Sequence, residues 1–357
     1  MPGTPEESGY IHGRALRDLV APAFLAAYTE ALGSAIGFGP DSLRTQGLAW
    51  LDQLPDHFVA EIRGMADGAR VPLGSMVDLL FADIARPERS GVPDGPMCSA
   101  VTTRLEDQKR WVGRNCDWLT PTLMRGVSAV VHEAPHRIPI MAVGIRGDID
   151  VDTGLNAEGL WMHLHTLHAT DAVPDGRPSI SWLFWAREAL ETCGDLDALE
   201  AFIERTARDR GVFVVAAEGR TGRSAVFECS RASYRRHEAG EDVPLCVTNH
   251  ALDRPHRAMA PTSPNASGTI SRRQALQRLV DADRPTRGPD DLIASLAAPG
   301  VEMRTPTWLR TIYSAVADTR AQTVWFASGT PEGQPAASTG RWDAVSPPWV
   351  GRRAVVR

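Results

Sequence analysis

One cysteine, Cys98, stands where a loop-forming segment hands over to a strand. The approach, Ser90-Gly91-Val92-Pro93-Asp94-Gly95-Pro96-Met97, is rich in glycine and proline, and the run that follows, Cys98-Ser99-Ala100-Val101-Thr102-Thr103, favours β structure. The thiol is therefore expected at the first position of a strand. A polar turn over Leu105 to Lys109 and a short strand-like stretch from Arg110 to Val112 lead into Gly113-Arg114-Asn115-Cys116-Asp117-Trp118. A hairpin built on that turn returns Arg114 and Asp117 to the neighbourhood of Cys98. The chain thus has a means of gathering a thiol, a guanidinium and a carboxylate from one short stretch.

At 357 residues the chain suits two or three average domains or one large α/β unit, and 43% hydrophobic residues suffice for a sizeable core. A formal charge of −6 without any sustained basic stretch argues against nucleic acid or an anionic membrane as the main partner. The first ten residues are polar and acidic, and the apolar stretch at Leu19 to Ala27 has neither a charged start nor a cleavage site. A cytoplasmic location without a leader is expected, and no run approaches membrane-spanning length. Five cysteines, Cys98, Cys116, Cys193, Cys229 and Cys246, form an odd set without paired spacing, as reduced thiols do. All but Cys98 read as buried small hydrophobes.

Residues ahead of Cys98 read as helical. Apolar residues at three-and-four spacing predict helices over Ala15 to Leu32, interrupted by Pro22, and over Asp41 to Leu54, Asp56 to Ala66 and Leu73 to Ile84. After Cys98 the pattern turns to strands at Ser128 to His132, Pro139 to Gly144, Asp150 to Leu155 and Leu160 to His165. Helices follow at Ile180 to Thr192 and Leu196 to Ala207, then strands at Val212 to Ala217, Ala225 to Cys229 and Leu245 to Thr248. Helices at Ser271 to Asp281 and Asp290 to Leu296 and strands at Thr311 to Asp318 and Thr323 to Ser328 complete the set. Arg254 to Gly268 reads as a loop, and Gly329 to Arg357 as an extended tail. Runs of strands separated by pairs of helices, without βαβ alternation, indicate an α+β arrangement of layered sheets flanked by helices.

The cysteine with its Gly-Arg-Asn-x-Asp-Trp partner resembles the cysteine-type N-terminal nucleophile (Ntn) hydrolases. The particular likeness is to the family of fungal acyl-CoA:6-aminopenicillanic acid acyltransferase, with the bile-salt (choloylglycine) hydrolases and penicillin V amidases more distant. Gly9-Tyr10-Ile11-His12-Gly13 and Glu61-Ile62-Arg63-Gly64-Met65-Ala66-Asp67-Gly68-Ala69 resemble motifs of that family's small subunit. The second is equally readable as a helix closed by a glycine. Asn156 in Gly154-Leu155-Asn156-Ala157-Glu158-Gly159-Leu160, Thr311-Ile312-Tyr313-Ser314, Asp318 and Gly329-Thr330-Pro331 extend the likeness over nearly the whole chain.

The resemblance implies a four-layer αββα sandwich preceded by a helical segment, residues 1–97 forming a small subunit and 98–357 the catalytic one. It also implies autocatalytic cleavage between Met97 and Cys98, no cofactor, acyl-CoA as a candidate co-substrate, and the cleaved segment as a partner. Small-molecule acyl donors and amine acceptors are the other partners implied. A free α-amino group, with pKa of about 7.7 to 8.0, suits a base that takes the thiol proton and returns it to a leaving amine. Asp117 is then implied to hold that amine or the thiol, and Arg114 to orient Asp117 or the cysteine's surroundings. Asn249, in Val247-Thr248-Asn249-His250, matches the position whose amide forms an oxyanion hole. Arg272, opening a helix in Ser271-Arg272-Arg273, resembles the arginine of the bile-salt branch. Asn156 is a substrate-binding candidate that also reads as a hairpin turn.

The sequence departs from the family at three places. Met97 stands where glycine often precedes the nucleophile, Ala100 replaces a hydroxyl residue, and the substrate-binding arginine has only Arg304 and Arg310 as nearby candidates. Penicillin is therefore not implied as the substrate. Two other readings stay open. In the cluster His163, His165 and His168, the first two fall on one face of a strand, a spacing used by zinc hydrolases, with a place in an acyl or amine pocket as the alternative for His165; and the fold could serve binding without catalysis.

Overall fold

The computed structural model describes residues 3–85, 97–107, 109–176, 179–238, 240, 243–252, 268–281, 288–304, 309–330 and 333–352. Most of the loop ahead of Cys98 and of the loop at Arg254 to Gly268 lies outside the described residues.

Five helices come first: α1 (Pro5–Ala15), α2 (Pro22–Ile36), α3 (Pro40–Leu51), α4 (Asp56–Ala69) and α5 (Leu73–Ile84). The helix expected from Ala15 is not there, because Pro22 opens α2 at its first position, where a missing N–H costs nothing. A helix ahead of it, α1, starts instead at a capping box in which the Thr4 hydroxyl accepts from the Glu7 amide and the Glu7 carboxylate accepts from the Thr4 amide.

The two glycine motifs meet along the α1–α4 crossing. A Cβ on Gly9 or Gly13 would lie 1.9 or 2.0 Å from the carbonyl oxygen of Glu61 or Met65. One on Gly64 or Gly68 would lie 2.0 or 2.1 Å from that of Glu6 or Tyr10. The helix-closing reading of the second motif is thereby corrected, since Arg70 in the left-handed region ends α4 and both glycines sit inside it as contact surface. Gly64→Leu is expected to force the helices apart and destabilise the protein by ~1–3 kcal/mol or more. Differential scanning calorimetry reads this as a lowered Tm, and an unchanged Tm would show that the crossing is dispensable.

The strands follow as β1 (Met97–Arg104), β2 (Arg110–Leu119), β3 (Val127–His132), β4 (Ile140–Ile145), β5 (Thr153–Asn156), β6 (Leu160–Leu167) and β7 (Ser179–Ile180). Then come α6 (Trp182–Thr192), α7 (Leu196–Arg205), β8 (Ala207–Arg208), β9 (Gly211–Glu218), β10 (Ser224–Cys229), β11 (Tyr234–Glu238) and β12 (Leu245–Val247). The chain continues through α8 (Thr269–Val280), α9 (Pro289–Leu296), β13 (Leu309–Asp318), β14 (Thr323–Ser328), β15 (Asp343–Val345) and α10 (Pro348–Arg352). The expected tail thus contributes an edge strand and a short helix.

Two antiparallel sheets carry the core, one ordered β12-β1-β2-β13-β14-β15 and the other β11-β10-β9-β6-β5-β4-β3. Ala100 and Val247 of the first meet Phe213, Val215 and Val226 of the second. Helices α8 and α9 pack on the first sheet and α6 and α7 on the second, giving the four expected layers. The N-terminal helices join the same core, and buried ion pairs tie them on: Arg187 to Glu61 at 2.7 Å, and Arg125 to Asp83. No helix among the described residues is long and apolar enough to cross a membrane.

Candidate active site

Strands β1 and β2 pair with Met97 opposite Asp117, Cys98 opposite Cys116 and Ala100 opposite Arg114. Cys98 is the second residue of its strand, one place from the expected position. Strand β2 is buried along its full length, so its alternating side chains all enter protein. Arg114 and Cys116 face the second sheet, whereas Gly113, Asn115 and Asp117 face α8 and α9.

That alternation explains the motif residue by residue. Gly113 leaves room for Leu292 of α9, whose Cγ would be 3.1 Å from an added Cβ. The Asn115 amide donates to the Leu296 carbonyl at the end of α9 and its oxygen accepts from Ser314. Trp118 stacks on Trp182 with ring centroids 6.2 Å apart.

Arg114 donates from Nη2 to Cys98 Sγ at 3.1 Å. Its other contacts fix that aim: Nη1 donates to Thr153 Oγ1 (2.6 Å) and the Asp152 carbonyl (3.0 Å), and Nη2 pairs with Asp152 Oδ2 at 3.1 Å. The guanidinium also lies 5.3 Å from the centre of the Tyr313 ring. Of the two alternatives for Arg114, the cysteine's surroundings is the one the contacts fit.

Asp117, on the opposite face, accepts from Thr311 and pairs with Arg272 at 3.3 Å. Burial pushes its carboxyl up to about 6, with Arg272 and the Thr311 hydrogen bond pulling the other way. Arg272 is buried rather than an exposed helix-start arginine. It donates to the Cys98 carbonyl (2.8 Å), Ser99 Oγ (2.7 Å) and Asn249 Oδ1 (3.3 Å). The Cys98 amide donates to Asn249 Oδ1 at 2.7 Å, while Asn249 Nδ2 donates to the Thr166 carbonyl at 3.0 Å. The amide oxygen of Asn249 thus meets the nucleophile's nitrogen, because an intact Met97–Cys98 peptide leaves an N–H there that needs an acceptor.

The remaining candidates divide. His165 is buried with Nδ1 2.9 Å from the Thr248 carbonyl, and its ring lies 5.2 Å from that of His163, whose Nδ1 accepts from Trp161. Burial, with Arg114 nearby, lowers both pKa values well below the ordinary range. His168 lies beyond β6 and is exposed, so the three histidines do not converge as a ligand set.

Among the described residues only His57, Glu188 and Glu191 bring three ligand atoms within 4.8 Å of one another, and Arg137 and Arg187 already pair with those carboxylates. Asn156 is corrected as a substrate ligand. Its amide donates to the Leu190 and Cys193 carbonyls and its oxygen accepts from the Glu158 and Leu160 amides, which uses it up in a hairpin turn. Arg310 donates from Nη1 to the Thr330 carbonyl, its strand pairing sets it opposite Trp118, and its Nε has no hydrogen-bond partner among the described residues. Arg304 is held by Glu302.

Sequence reasoning passed over Asp152 and Thr153, which hold Arg114. The signal present was the alternation Asp148, Asp150, Asp152 leading into a strand, where acids at every second position share one side.

Two antiparallel sheets between helical layers, with a cysteine at the start of a central strand, define the Ntn-hydrolase fold. A mutant of conjugated bile acid hydrolase from Clostridium perfringens is similar in structure (TM-score 0.51, 11% identity, covering 70% of this chain and 92% of that one). Penicillin V acylase from Agrobacterium tumefaciens aligns at TM-score 0.47 and 15% identity, over 65% of this chain and 83% of its own. The profile of the acyl-coenzyme A:6-aminopenicillanic acid acyl-transferase family matches residues 104–333, more than half of the chain. The chain belongs to that family, and is an Ntn-type acyltransferase or amidohydrolase of amide substrates.

Proposed function

We propose that the chain cleaves its own Met97–Cys98 bond and then works as a cysteine Ntn enzyme, carrying an acyl group on Cys98 as a thioester. The observation that supports this most is the Arg114 guanidinium 3.1 Å from Cys98 Sγ, with Arg272 and Asn249 on the same residue's carbonyl and nitrogen. A fixed positive charge beside sulfur favours the anion that attacks.

In processing, Sγ adds to the Met97 carbonyl carbon, the C–N bond breaks, and the thiol proton passes to the departing nitrogen. Water then opens the Met97 thioester, leaving a Met97 carboxylate and a free Cys98 amine. Residues 1–97 become the small subunit, held to 98–357 by their shared core. In turnover the Cys98 amine takes the thiol proton as Sγ attacks a substrate amide and returns it to the leaving amine. Water or a second amine resolves the thioester, so acyl-CoA is a candidate donor for the transferase direction. Asp117, opposite Met97 across the strand pair, would be ionised near neutral pH and pair with the new ammonium.

Intact-mass measurement of the purified protein is expected to give two polypeptides meeting at Met97 and Cys98. Iodoacetamide is expected to abolish turnover of a chromogenic N-acyl substrate, while a chelator leaves it unchanged. Loss of activity with the chelator alone would put a metal hydrolase in place of the thiol mechanism.

A further inference from the structure

Between the sheets lies a small pocket of about 20 Å³. Cys116, directly across the strand pair from Cys98, forms part of its wall. So do four carboxylates: Asp83 from α5, and Asp148, Asp150 and Asp152 from the chain leading into β5. Two guanidiniums answer them. Arg125 pairs with Asp83 and, at 2.7 Å, with Asp148; Arg114 pairs with Asp152.

Asp150 is left over. It is 7% exposed, lines the pocket, and makes no hydrogen bond or ion pair among the described residues. Burial and the three neighbouring aspartates push its pKa well above the ordinary carboxylate range, and burial pushes Asp148 up to about 7. A buried acid without a donor costs stability unless something in the pocket answers it. That occupant is not an anion, which three further carboxylates would repel. Nor is it a single metal ion, because no three ligand atoms of this set come within 4.8 Å of one another. Carboxylates around a space this small suit the head of a primary ammonium, whose three N–H donors reach different oxygens.

We infer that this pocket seats a primary ammonium of the substrate, with Asp150 as its direct partner. The inference rests on Cys98 being the nucleophile, and it names the class of amide processed: one carrying a cationic group on its acyl or its amine part.

The test uses the purified self-processed enzyme and two matched substrate pairs. The acyl-side pair is 6-aminohexanoyl against heptanoyl p-nitroanilide; the amine-side pair is N-hexanoyl-1,4-diaminobutane against N-hexanoylpentylamine. The charged member of one pair is expected to exceed its neutral twin in kcat/KM by about ten- to hundredfold, the range of a charge-assisted hydrogen bond. Which pair shows it tells which part of the substrate carries the charge. Asp150→Asn is expected to bring the twins of that pair within about threefold of each other.

Equal turnover within both pairs, or a preference that survives Asp150→Asn, overturns the inference. Thermal melting with pentylamine against pentanol reads the pocket without turnover. A rise in Tm with the amine alone, lost in Asp150→Asn, supports the cation site even if none of the four amides reacts, in which case the catalytic reading is what fails. Equal melting with amine and alcohol, where the amides do not react, overturns the cation site as well.

Discussion

Cys98→Ala is expected to accumulate as a single 38.7 kDa polypeptide that turns over no N-acyl substrate. Both outcomes follow from one atom in the proposed mechanism, where the sulfur that opens the Met97 carbonyl is the sulfur that later carries the acyl group. The substitution should leave the fold in place. Cys98 is 2% exposed beside small core residues, so losing one sulfur creates a void worth about 1 kcal/mol. Electrophoresis and intact mass read the processing, and a chromogenic amide reads the turnover. Cleavage at the same bond in the alanine variant would mean that an outside protease cuts the chain, and self-processing would be lost as an explanation.

Much of this site was legible in the sequence because it is local. A short polar turn between two β-favouring runs leaves little choice but a hairpin, and the hairpin alone sets Arg114 and Asp117 around Cys98. What the spacing left unsaid is how the strand divides them. Arg114 and Asp117 are three apart, so on a strand they point to opposite faces, one to the sulfur and the other to Arg272.

Partners brought from afar were harder to read. Asp152 reaches Arg114 only because β5 stacks in the other sheet, and the alternation Asp148, Asp150, Asp152 marks an acidic side without naming its partner. Arg310, a buried arginine near a motif, gives its Nη1 to a loop carbonyl twenty residues on, a contact its own neighbourhood does not mark.

At the level of the fold, periodicity recovered the amphipathic elements and missed those held by their ends. The α1 helix is short and mostly polar, made by its capping box and its glycine contact with α4 rather than by an apolar stripe. Strand β11, Tyr234-Arg235-Arg236-His237-Glu238, is polar or charged after its first residue, as suits an edge strand, and so carries no alternation to detect. Pro22, expected to interrupt a helix running from Ala15, does so by opening α2 at its first position.

Asn249→Ala is expected to lower kcat of already processed enzyme by about a hundredfold or more, with a smaller change in KM and an intact fold. Asn249 is the side chain on the nitrogen of Cys98, and it is itself steadied by Arg272 and by the Thr166 carbonyl. In the processed enzyme that nitrogen is the proposed base, so the variant releases the group that must exchange a proton with sulfur; the oxyanion role implied by the family resemblance would further require Asn249 Nδ2 to leave the Thr166 carbonyl. A residue that only completed a turn would behave otherwise, lowering the Tm and leaving turnover per folded molecule nearly unchanged. Self-cleavage should slow in the same variant, since it passes through the same tetrahedral carbon chemistry at Met97. Steady-state kinetics on the cleaved fraction, beside a melting curve, separates the two. A normal kcat with a depressed Tm would remove Asn249 from catalysis and leave oxyanion stabilisation to backbone N–H groups or to the guanidiniums of Arg114 and Arg272 beside Cys98.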